Sequence, residues 1–114
     1  MNDRFKFRYF YKPLKIMYEF QEKDYLYEFA EKENYVLMQC TGLKDKNGKL
    51  IYEGDICKYK FEEIGEQKAI IYFSKELCSF LAKPLNDFQY TRINDCEVIG
   101  NIYENADLLE EKEL

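Results

Sequence analysis

Glu53 and Asp55 flank Gly54 and are the residues best placed to do chemistry. Carboxylates at positions i and i+2 of a strand point to one face. Such a pair, with a pocket, can move protons or hold Mg²⁺. Asp45, brought near by a chain reversal, is the best third ligand for an ion. The competing reading is structural: Asp55 accepts backbone N–H bonds at a glycine corner and Glu53 flanks it in solvent. The structural reading is preferred.

The four cysteines stand at 40, 57, 78 and 96. None forms Cys-x-x-Cys, and structural zinc sites draw their thiolates in close pairs. They read as small core residues. The chain has no histidine, so the commonest general base and the Ser-His and Cys-His nucleophile pairs are missing. No catalytic residue, metal ligand or cofactor is therefore expected, and the chain reads as a non-enzyme.

Arg4, Lys6, Arg8 and Lys12 alternate with Tyr9, Tyr11 and phenylalanines. This mixture resembles a stacking surface for single-stranded nucleic acid. An ordinary strand with a charged outer face explains it as well. The net charge of −5 argues against non-specific nucleic-acid binding. The charge is also uneven. Residues 1–15 carry five basic and one acidic residue, and residues 102–114 carry five acidic and one basic. Opposed ends suggest contact between termini, within a chain or between protomers. The short acidic end also admits an acidic antagonist of a host nucleic-acid-binding or defence protein.

The elements that must position these residues are strands. With 114 residues and 18% aromatics, the chain is one domain with one modest core, and its strands are expected to wrap an aromatic interior. Phe5 to Lys12 alternates with period two and ends at Pro13. Ile16–Phe20 and 25–29 suggest a hairpin, with a helix over 24–33 as the alternative. Residues 35–40 form an apolar central strand that Gly42 ends.

Asn47-Gly48 is the strongest hairpin signal, of the type I′ kind. Gly54 permits a corner or bulge. Further strands follow at 56–61, 67–74, 77–82 and 96–103. Pro84 opens a loop, and Asn105 caps a short helix over 106–112. The fold class is mainly β with minor α: a small twisted β-barrel or roll with a short C-terminal helix. Residues 1–104 form the domain and 105–114 its acidic helix or tail. No membrane segment or secretory leader is seen. A cytoplasmic protein with reduced thiols is the expectation.

Three stretches carry a family resemblance. They are Phe7-Arg8 with Lys15 to Tyr18, Gln39 to Ile56, and Val98 to Asn105 with Leu108-Leu109. In order and spacing they resemble the YopX family. Gly42, Asn47, Gly48, Tyr52, Gly54, Asp55, Gly100 and Asn101 stand at its motif positions. Departures are Phe10-Tyr11 where members often carry Trp-Asp, Cys40 where an aromatic is usual, and Ala106 where Pro is common.

The resemblance implies a bacteriophage or prophage protein of a low-GC Gram-positive host, with a β-rich barrel that is SH3-like in part. It implies self-association and no established enzymatic activity or cofactor. The functional expectation is a non-enzymatic interaction module forming a homo-oligomer. The excess of Tyr and Phe over what a core this size needs supports that. A host protein is a possible second partner.

Overall fold

The computed structural model describes residues 5–19, 33–61, 65–85, 91–93 and 95–109. The described strands are β1 (Phe7–Tyr11), β2 (Ile16–Glu19), β3 (Tyr35–Lys44), β4 (Leu50–Tyr52), β5 (Asp55–Phe61), β6 (Gly65–Ser74), β7 (Ser79–Pro84) and β8 (Cys96–Asn101). A 3₁₀ turn follows at Ala106–Leu109. The strands form two antiparallel four-stranded sheets, ordered β2-β1-β3-β4 and β7-β6-β5-β8, curled into a half-barrel. The mainly β expectation holds in that form.

Alternation explains most pairings. In β6, Ala69 and Ile71 are buried while Ile70 and Tyr72 are half-buried, as period two requires when one face meets the core. Ala69 and Ile71 join Ile51, Cys57, Tyr59, Ala82 and Cys96 in one cluster. That core is aliphatic and thiol-rich. Phe10 and Tyr59 are its buried aromatics among the described residues, so the aromatic interior expected from composition is not what forms. Most described aromatic rings are half-buried or exposed. Three cysteines are core residues, as read, but Cys78 is exposed.

Other expectations shift. β1 pairs with both β2 and β3, so it is not an edge strand, and Pro13 lies in the turn that follows it, as expected of a residue that ends the run. The partner of β2 is β1; the hairpin half expected at 25–29 lies outside the described residues, as does the helix alternative at 24–33 except for residue 33, which is in a turn. Gly42 does not end β3. Its φ of 84° forms a bulge with the strand continuing to Lys44. The Thr41 hydroxyl donates to the Ile51 carbonyl at 2.8 Å and accepts from the Leu43 amide at 3.1 Å, which holds the bulge in place.

Asn47-Gly48 does reverse the chain, but not as type I′. Only Gly48 has positive φ, and its amide donates to the Asp45 carbonyl at 3.0 Å. This is a type I turn followed by a left-handed glycine. Asp45 selects it, because Oδ1 accepts from the amides of Asn47 and Lys49, each at 2.9 Å.

The strand expected at 77–82 runs instead from Ser79 to Pro84, after a turn at 75–78. β8 stops at Asn101 rather than 103. Asn105 does take the N-cap position, its carbonyl accepting from the Leu108 amide at 2.9 Å, but its side chain is engaged elsewhere. Asn101 Oδ1 accepts from the amides of Tyr103 and Glu104 at 3.0 and 2.8 Å. The Asn105 side chain instead accepts from the Asn101 amide at 3.1 Å. A Cβ on Gly100 would sit 2.6 Å from Asn105 Oδ1, so only glycine leaves Asn105 that space.

Candidate functional site

The Glu53-Gly54-Asp55 corner is where the chain crosses from the first sheet to the second. Gly54 has φ 84°, and a Cβ there would lie 3.2 Å from Met38 Sδ and 3.4 Å from a Tyr103 ring carbon. Its amide donates to the Ile71 carbonyl, and its own carbonyl accepts from the Ile102 amide, both at 2.9 Å.

The two carboxylates turn to different partners. Glu53 Oε1 accepts from the Gln39 amide at 2.9 Å. Asp55 Oδ2 accepts from the Tyr52 amide at 2.8 Å. Asp55 Oδ1 pairs with Arg8 Nη2 at 2.7 Å, with side chains only 2% and 11% exposed. The same Arg8 nitrogen donates to the Glu53 carbonyl at 3.2 Å. The guanidinium lies 4.6 Å from the centre of the Tyr52 ring, a cation–π distance. Burial pushes the Asp55 carboxyl above the usual aspartate range, against the opposing pull of Arg8 and the Tyr52 amide. This constellation locks two sheets together, and its oxygens are occupied in doing so.

Asp45 forms a second lock. Oδ2 accepts from the Val98 amide at 2.9 Å, and the Lys46 amide donates to the Cys96 carbonyl at 3.0 Å. Burial pushes the Asp45 carboxyl up. The amides of Val98, Lys49 and Asn47 outweigh that and hold it below its ordinary value. Each oxygen is committed to main-chain donors, which explains the residue without an ion. Among the described residues no group of three or more His, Cys, Asp or Glu is placed to hold a metal.

The family-motif residues thus gather at three places. Gly42, Asn47 and Gly48 shape the β3–β4 end. Tyr52, Gly54 and Asp55 make the corner. Gly100 and Asn101 close β8, where Asp55 pairs with Asn101 across the ladder.

The residues suggested for nucleic-acid stacking divide between two faces. Arg8 and buried Phe10 face inward; Phe10 stacks on Tyr103 at 5.3 Å. Tyr9 stacks on Tyr18 at 5.2 Å, and Tyr11 meets Tyr35 at 4.8 Å. Lys6 and Lys12 are exposed. Arg4 lies outside the described residues. The inward turn of Arg8 removes the cation most needed for a stacking surface.

A feature that no sequence motif marked lies between the end of β3 and the β6–β7 hairpin. Leu43 at the end of β3 approaches the β6–β7 hairpin and residues 91–93. Two grooves of about 740 and 490 Å³ share Leu43, Ser79 and Phe80 and so form one continuous depression. Phe5, Leu43, Phe73 and Leu77 around it are 63, 46, 43 and 51% exposed. Phe73 and Phe80, paired across β6 and β7, meet edge to face at 5.2 Å. Alternation puts Phe73 on the face of Ala69 and Ile71, so nothing local in the sequence marked its exposure.

The YopX protein family model matches residues 2–110. The chain belongs to the YopX family. It is also similar to the crystal structure of protein EF1440 from Enterococcus faecalis, at 28% identity and a TM-score of 0.64, over 92% of this chain and 97% of that one. No curated protein matches the chain. The match spans the three motif stretches and the corner they build, so the Arg8–Asp55 joint and the Asn101 cap lie within the family's own region.

Proposed function

We propose that this YopX-family protein is a non-enzymatic interaction module that assembles with copies of itself. The observation that carries the reading is the depression beside the β6–β7 hairpin, with Phe5, Leu43, Phe73 and Leu77 exposed around it. Isolated exposed apolar residues are ordinary, but a contiguous patch of large ones marks a binding surface. Phe and Leu side chains around a concave site give area and shape for protein contact. The carboxylates that could have done chemistry are spent on backbone amides and on Arg8, which leaves binding as the activity the surface favours.

The family resemblance supports a phage or prophage origin and action in the host cytosol. Three buried free thiols suit a reducing compartment. Sedimentation velocity across a wide concentration range tests the self-association. Species larger than the 13.9 kDa chain are expected. A single chain-sized species at the highest attainable concentration overturns the reading.

A further inference from the structure

We infer that the copies meet through the β6–β7 hairpin tip, in a two-fold contact that seats Leu77 of each chain in the other's groove. This rests on the self-association reading above and names its surface. A two-fold interface requires a patch that complements itself, carrying both a projection and the hollow that receives it. The hairpin side of this protein carries both. Leu77 projects from the tip, 51% exposed, and also lines one wall of the groove. The hollow offers Leu43, Phe80, Leu81 and Ile93 to an apolar projection, with Ser79, Thr91 and Arg92 as its polar lining.

The tip is held in shape before any partner arrives. The Leu77 amide donates to Ser74 Oγ at 3.2 Å, and the Cys78 thiol donates to the Lys75 carbonyl at 3.6 Å. Cys78 closes the turn with φ 49°. A projection fixed in this way loses little freedom on docking.

Charge selects a second copy as the occupant. Lys75 and Glu76 are adjacent, exposed and of opposite sign at the tip. Neither enters an ion pair among the described residues. A two-fold axis passing between them sets Lys75 of each chain against Glu76 of the other, giving two cross-pairs and no like-charge contact. No described residue lining either groove is acidic, and Arg92 is among those lining the larger one. The partner's Glu76 therefore approaches without repulsion.

The test is sedimentation velocity on the intact chain and four variants: Leu77→Asp, Lys75→Glu, Glu76→Lys and the double Lys75→Glu/Glu76→Lys. Leu77 is on the surface, so circular dichroism of Leu77→Asp should match the parent. Leu77→Asp is expected to weaken association at least about tenfold, as loss of a central anchor does. Each charge reversal should weaken it, and the double reversal should restore it. Association of the parent with no effect of Leu77→Asp overturns this surface while leaving self-association in place. A double reversal as weak as the single ones overturns the two-fold pairing. A parent that never associates fails the broader reading.

Discussion

Arg8 Nη2 and Asp55 Oδ1 meet at 2.7 Å although 47 positions separate them in the chain. The pair joins β1 of the first sheet to the start of β5 in the second. Removing one member of a buried pair strands the other charge and costs about 3–5 kcal/mol. Arg8→Met and Asp55→Asn are each expected to lose stability on that scale in urea unfolding. The double variant Arg8→Met/Asp55→Asn should lose much less than the sum. Additive losses would show that the two groups do not interact.

Asp45 sets the acid limb of stability. Its folded carboxyl lies below the ordinary value, so the unfolded chain binds that proton more readily. The stabilisation is present above the unfolded value of about 3.9 and disappears as pH falls through the folded value. Asp55, raised by burial, works oppositely: its contribution declines as pH rises from about 3.9 towards its folded value. Asp45→Asn should therefore flatten the acid loss in a series of urea midpoints measured against pH. An unchanged slope would contradict the bonding to Asn47, Lys49 and Val98.

The glycines separate strain from contact. Gly48 and Gly54 share φ 84°, but a Cβ on Gly48 meets nothing within 4 Å. Gly48→Ala should cost about 1–2 kcal/mol, the left-handed penalty alone. Gly54→Ala carries the same penalty and must also move Met38 or Tyr103, so its melting temperature should fall further. Equal losses would mean the corner yields freely.

Thiol reactivity should divide one against three. Cys78 is exposed while Cys40, Cys57 and Cys96 are buried. The hydrogen bond with its neighbour Cys96 pushes the Cys57 thiol up, and burial adds to the rise. A colorimetric thiol reagent should titrate about one equivalent in the native protein and four after denaturation. Fast reaction of several native thiols would contradict the packing of β5 against β8.

Features encoded by neighbouring residues were legible in the sequence. The Gly54 corner and its Asp55 acceptor follow from local chemistry, as do the reversal at Gly48 and most strands. Features made by distant residues were not. Asp45 reaches Val98, and Arg8 turns inward because Asp55 waits there; neither partner is near in sequence. Alternation placed Phe7, Tyr9 and Tyr11 on one face correctly but could not say that the opposite face, with Arg8 and Phe10, would meet the second sheet. The groove arises only when Leu43 comes beside Leu77 and Phe80, so no window of the sequence contained it.

Among the described residues the chain passes between the sheets once, at Gly54, with β1 to β4 before it and β5 to β8 after it. Each half therefore assembles from its own stretch of polypeptide, like two pages sharing a single crease. Cleavage at that crease would leave two pieces that still recognise each other through Arg8 with Asp55 and Asp45 with Val98. Complementation between separately produced halves is the natural consequence of this layout.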